Sequence, residues 1–167
     1  MQVPVTLNGR PVTLDVAPQE LLLDVLRDTL GLTGAKRSCE VQVCGTCTVL
    51  LDGAPVSSCT LLAADVEGRS ILTIEGLRET DAFDAIADAF ERHAAVQCGF
   101  CSPAMALTIH SLLEHGELVD EASIRRGLSG NLCRCTGYRG ILAAAADLAG
   151  VTPADGSVAT HGPESRP

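Results

Sequence analysis

From Val3 onward apolar and polar positions alternate: Val3, Val5 and Leu7 share one face, and after Asn8-Gly9 the pattern resumes with Val12, Leu14 and Val16. An Asn-Gly pair between alternating runs predicts a two-residue hairpin turn. Pro18 opens a stretch in which Leu22, Val25, Leu26 and Leu30 recur at helical spacing, with Gly31 placed to end it. This predicts a helix packed on the sheet. Residues 32–47 carry Gly and Cys without a period and read as a loop. Thr48 to Leu51 and Ala54 to Ser57 flank Asp52-Gly53 as a second hairpin, and Ile71 to Ile74 reads as a further short strand. Near residue 79 the β-branched alternation stops and Ala-rich helical periodicity begins. Helices are predicted over 81–92, 103–114, 120–127 and 139–149. The pattern divides the chain into a sheet domain over 1–76, a helical domain over 77–151, and a polar, Pro- and Gly-bearing tail over 152–167 that is expected to be mobile.

Composition narrows the function. Of 167 residues, 12 are Lys or Arg and 21 are Asp or Glu, a net charge of −9, the wrong sign for gripping a phosphate backbone. Only Phe83, Phe90, Phe100 and Tyr138 are aromatic, too few to stack on single-stranded nucleic acid. No nucleic-acid partner is expected. No apolar run reaches the roughly 18 residues of a membrane span, and Met1 to Arg10 lacks the basic start and apolar stretch of a signal peptide. These features predict a soluble, cytoplasmic protein.

The eight cysteines fall into two quartets. The first, Cys39, Cys44 and Cys47 with Cys59 following, has the C-x4-C-x2-C spacing of plant-type [2Fe-2S] ferredoxins. Counting back from a two-residue turn at Asp52-Gly53 pairs Leu51 with Ala54 and places Cys47 opposite Ser58, so Cys59 returns beside Cys47. Gly45 suits a loop whose amides turn toward sulfur, or an ordinary turn. Lys36 and Arg37 stand next to this quartet, either to offset a cluster's negative charge or as solvated surface cations.

The second quartet is a C-x2-C pair, Cys98 and Cys101, followed after 31 residues by a C-x-C pair, Cys133 and Cys135. Each pair closely precedes a predicted helix, and helix N-termini favour thiolates and anionic clusters. A helix out and a shorter helix back would bring the four together. Structural zinc is the competing metal reading, although C-x4-C-x2-C and C-x-C are awkward spacings for a zinc ribbon. Disulfides are weaker still in a reducing compartment. His110 and His115 are five apart, on different faces of a helix, and with His93 and His161 show no metal-ligand pattern.

No G-x-G, P-loop or G-x-S-x-G occurs, and Lys36 is the only lysine. The chain carries electron-transfer equipment without a substrate site, and therefore requires a partner that holds the chemistry. A free-standing ferredoxin-like carrier or redox sensor is the alternative function, and a zinc-stabilised interaction module a third.

The segments CEVQVCGTCTVLLDG, QCGFCSPAM and GNLCRCTGYRGI resemble the two-cluster iron-sulfur small subunits of molybdenum hydroxylases, the xanthine dehydrogenase and carbon monoxide dehydrogenase family. The resemblance runs over residues 2–150 with all eight cysteines in register. Ser102 and Ala104 stand where the family usually has Thr and Gly, and Gln42 where some members have Gly; none is a ligand position. The resemblance implies an α+β fold, an N-terminal β-grasp (plant-type ferredoxin-like) domain and a C-terminal four-helix domain, each with one [2Fe-2S] cluster. It implies a large partner subunit bearing molybdopterin cytosine dinucleotide, and a FAD subunit or another electron acceptor. The helical-domain cluster would lie nearest molybdenum. By the same resemblance Gln97 and Cys135 would contact the molybdopterin, although Gln97 alone reads as an exposed or helix-capping polar residue. The implied reaction is hydroxylation at carbon with water oxygen, or oxidation of an aldehyde or carbon monoxide.

Overall fold

The computed structural model describes residues 1–152; the expected mobile segment beyond them lies outside the described residues. Five strands form one mixed sheet in the order β2-β1-β5-β3-β4. Strands β1 (Gln2–Leu7) and β2 (Arg10–Asp15) pair antiparallel with Val5 opposite Val12. Strands β3 (Thr48–Leu51) and β4 (Ala54–Ser57) pair with Leu51 opposite Ala54 and Thr48 opposite Ser57, the register counted from the sequence. Both hairpins turn on two successive residues with positive φ, Asn8-Gly9 and Asp52-Gly53, as primed turns demand. Strand β5 (Ser70–Leu72) runs parallel to β1 and antiparallel to β3, closing the sheet between the hairpins.

The helix on this sheet is shorter than the leucine spacing predicts. The chain turns at Pro18-Gln19, Leu21 bridges to Leu62, and α1 spans only Leu22–Asp24 before widening into a π-turn over Val25–Thr29. Pairing with residues 61 and 62 removes Leu21 from the helix, while Leu22, Leu23, Val25 and Leu26 still fill the core over the sheet. The predicted strand 71–74 also ends early. Thr73 is held by the Asn8 side chain, whose Oδ1 accepts its N–H at 2.9 Å, and Ile74 starts a short helix, α2 (Ile74–Leu77).

Four longer helices follow: α3 (Asp81–Arg92), α4 (Ser102–Glu114), α5 (Glu121–Gly127) and α6 (Arg139–Ala149). Ile86, Met105, Ile109, Ile124, Leu128 and Ile141 form their core, and Leu50, Ile74 and Leu77 join it. Strand β3 is therefore buried on both faces. Val49 and Leu51 point into the sheet-side core, and Leu50 points into the helical one, with α4 laid across the strand. Such a strand reads as a continuous apolar run, TVLL, rather than as an alternation.

Helices α3 and α6 are clamped at the surface where Asp147 Oδ2 accepts from Arg92 Nη2 at 2.7 Å and meets His93 Nε2 at 3.1 Å. The Arg92 hydrogen bond, then that of His93, holds the Asp147 carboxyl below the usual range. A depressed folded-state value means that this stabilisation is complete above the unfolded Asp value of about 4 and is lost as pH falls through the lowered one. With Asp147 42% exposed, it contributes only about 0.5–1 kcal/mol. The gap in urea midpoint between wild type and Asp147→Asn is expected to close on acidification; a gap independent of pH would refute the clamp.

Candidate metal centres

The first quartet is built by the loop that leads into β3 and by the end of β4. Glu40, Gln42 and Gly45 all take positive φ, which curls residues 40–45 around Cys39. The amides of Val43 and Cys44 then point at the Cys39 sulfur, at 3.4 and 3.3 Å. The Cys39 thiol is drawn down to about 6, first by the Val41 amide and then by those of Cys44 and Val43. Cys59 is buried and pushed up to about 11 by that burial. Beyond the β3–β4 hairpin, the Ser58 hydroxyl donates to the Cys47 carbonyl at 2.7 Å, so Cys47 and Cys59 lie side by side as the register requires. The Cys39 thiol meets that of Cys44, and the Cys59 thiol that of Cys47.

The second quartet is assembled at helix starts. Cys101 caps the N-terminus of α4, which carries Pro103 in its first turn, and Cys135 lies in the turn that enters α6. Cys135 and Cys98 are both exposed, with their sulfurs 3.5 Å apart. Cys101 is buried, pushed up to about 12 by desolvation, and meets Cys133. Burial alone would raise Cys133, but the hydroxyl and amide of Thr136 and the Cys135 amide bring it down. The Phe100 amide lowers Cys98.

All eight cysteines are free. Sulfur approaches sulfur within each quartet, most directly where Cys98 and Cys135 stand 3.5 Å apart. That arrangement suits a two-iron cluster, in which each iron takes two thiolates and inward amides offset the negative charge of the sulfurs.

The remaining candidates lie around the two quartets and along α4. Gln97 is exposed beside Cys98. Arg37 lies 2.8 Å from Asp24, 3.0 Å from Asp28 and 3.2 Å from Glu40, so its charge goes to carboxylates that brace the loop rather than to sulfur. Lys36 Nζ donates to the Thr33 carbonyl. His110 and His115, expected on different faces, line one cavity of about 460 Å³ between α4 and the sheet, because His115 lies beyond the helix end and folds back onto Ser111.

The sequence reading missed the joint between the quartets. The Leu132 amide donates to the Cys44 carbonyl at 2.8 Å. Asn131, 4% exposed, donates through Nδ2 to the Gly45 carbonyl at 2.9 Å and to Thr48 Oγ1 at 3.2 Å. Its Oδ1 accepts the Thr108 hydroxyl at 2.9 Å. The residues just before Cys133 are thus fastened to the residues just after Cys44. The one signal in the sequence is a polar residue, Asn131, two positions before a C-x-C pair.

Comparison with known proteins finds one family match in each half of the chain. Residues 5–72 match the family of 2Fe-2S iron-sulfur cluster binding domains, and residues 73–146 match that of [2Fe-2S] binding domains. The chain is 45% identical over 150 residues to the nicotine 6-hydroxylase small subunit of Paenarthrobacter nicotinovorans, covering 90% of each chain. It is 42% identical over 139 residues to the xanthine dehydrogenase iron-sulfur-binding subunit of Escherichia coli O157:H7, covering 82% of this chain and 87% of that one. The crystal structure of quinoline 2-oxidoreductase from Pseudomonas putida 86 superposes with a TM-score of 0.84 at 46% identity, over 90% of this chain and 94% of that one. With a [2Fe-2S]-binding domain in each half and this likeness along nearly its whole length, the chain belongs to the iron-sulfur small subunits of the molybdenum hydroxylases, the electron-transfer subunits of those oxidoreductases.

Proposed function

We propose that Cys39, Cys44, Cys47 and Cys59 hold one [2Fe-2S] cluster, that Cys98, Cys101, Cys133 and Cys135 hold the other, and that the chain relays electrons from a large molybdopterin-bearing subunit to a FAD subunit or another acceptor. The ferredoxin-like domain runs to about residue 76 and the helical domain from there to 151, with the tail beyond. When bound, a [2Fe-2S] cluster takes up and gives back single electrons. The chain's own residues fix where that happens. Amides of Val43 and Cys44 hold the Cys39 sulfur, and burial of Cys47 and Cys59 keeps water from the inner side of the first quartet. The second quartet opens outward through Cys98 and Cys135. Around it stand Gln97 and the exposed apolar side chains Val96, Phe100 and Leu132, a surface suited to docking on the molybdopterin subunit. Gln97 offers its amide, and Cys135 its edge, to a pterin cytosine dinucleotide held by that subunit. Eight free thiols fit a reducing compartment, and we assign the chain to the cytoplasm. No helix among the described residues is long and apolar enough to cross a membrane.

The observation that carries this reading is the 3.5 Å approach of the Cys98 and Cys135 sulfurs, which joins the C-x2-C pair to the C-x-C pair, with the first quartet in a separate half of the chain. The holo complex is expected to contain about four irons per copy of this chain and to give two distinguishable EPR signals on reduction. Cys39→Ser should remove one signal and Cys135→Ser the other. Loss of the same signal in both variants would overturn the division into quartets. The free-carrier alternative is not favoured, since the relatives are subunits; co-purification of this chain with a large partner tests it directly.

A further inference from the structure

We infer that Thr136 is a potential-setting residue: its hydroxyl donates to the Cys133 sulfur and holds the reduction potential of the second cluster above the value that the four thiolates alone would give. This deepens the proposed function and rests on Cys133 being a cluster ligand. Thr136 Oγ1 lies 3.0 Å from Cys133 Sγ, and the Thr136 amide lies 3.5 Å from the same sulfur. A free thiol could be the donor of the first contact, but a sulfur bound to iron has no proton, so there the hydroxyl must donate.

The surroundings of the hydroxyl fix that direction. The Tyr138 amide donates to Thr136 Oγ1 at 3.1 Å, which occupies a lone pair and leaves the proton free. Among the described residues the Cys133 sulfur is the only acceptor within reach of that proton. Tyr138 holds the loop in place as well. Its phenol accepts the Cys133 amide at 2.9 Å and donates to the Asn131 carbonyl at 3.0 Å. Its backbone, at φ 66, turns the amide back toward Thr136 as α6 begins. One tyrosine thus positions both the sulfur and the hydroxyl aimed at it.

The first quartet has a similar pair with a different balance. Thr46 Oγ1 lies 3.2 Å from Cys44 Sγ, but the Lys36 carbonyl competes for its proton at 3.4 Å. Among the described residues no second acceptor competes at Thr136. A hydrogen bond to sulfur favours the reduced cluster, which carries one more negative charge, so removing the donor lowers the potential.

The test is an EPR-monitored redox titration of the holo complex containing Thr136→Val, Thr136→Ala or Thr136→Ser. Wild type first establishes the iron content and the two signals, and a failure there overturns the functional reading rather than this inference. Val and Ala are expected to retain both signals while lowering the midpoint of the one that Cys135→Ser abolishes. Ser, which keeps the hydroxyl, should titrate close to wild type, and the other signal should not move in any variant. A Val or Ala variant with that midpoint at or above the wild-type value refutes the inference. So does loss of the second cluster in both, which would make the threonine structural rather than tuning.

Discussion

Gly45→Ala is expected to destabilise the holo protein by roughly 3 kcal/mol or more and to lower iron loading at the first quartet. Two effects combine. Gly45 has φ +65, where a Cβ costs about 1–2 kcal/mol. The added carbon would also stand 2.1 Å from the Gly130 carbonyl and 3.0 Å from the Asn131 Cα, both backbone atoms. To make room, residues 130–132 must retreat, and the hydrogen bonds of Asn131 to Gly45 and of Leu132 to Cys44 stretch with them. Gly53→Ala is the matched control, because Gly53 also has positive φ, at +85, but its Cβ would meet only the His115 ring at an ordinary 3.6 Å. Urea titration and iron analysis of the two variants separate backbone strain from the clash. Equal losses would show that Gly45 is only a turn glycine.

The second large effect is expected at Asn131. Asn131→Ala removes both amide donors and the acceptor of the Thr108 hydroxyl from a buried site, at a cost of about 2–4 kcal/mol. Asn131→Asp keeps the shape but places a carboxylate against the Gly45 carbonyl, which no longer receives an N–H. It should be at least as damaging as Ala at neutral pH. A double-mutant cycle with Thr108→Val should show coupling, since the two side chains share one hydrogen bond. Hydrogen exchange should localise the loosening to the amides of Thr48 and Leu132. Strict additivity with Thr108→Val, together with undisturbed exchange, would remove Asn131 from its role in the joint.

What the sequence displayed depends on the range over which each feature is encoded. The hairpins, the β3–β4 register and the four long helices are set by neighbours within a dozen residues, through turn chemistry and periodicity, and they appear where expected. The truncation of α1 was not visible, because it is caused by pairing with residues about forty positions away. The same holds for Ile74, which reads as strand but is taken into the helical core. At the centres, spacing pointed to two quartets, and in the second the sulfurs of Cys98 and Cys135 stand 3.5 Å apart. The bonds from Asn131 and Leu132 to Gly45 and Cys44 connect residues more than eighty positions apart and have no local periodicity to announce them. Gly45 illustrates the difference: its glycine character was legible, but the close approach of Gly130 that requires it was not. Arg37 and Lys36 were legible only as charges, and the structure gives them to carboxylates and a carbonyl.

The fastening of residues 130–132 onto residues 44–48 bears on how such subunits are recombined. A chimera that takes its front half from one relative and its rear half from another inherits mismatched contact surfaces unless the positions at 45, 48, 108, 130, 131 and 132 are transplanted as a set. The two halves look like interchangeable cassettes, but the bonds between them make them a single unit for design.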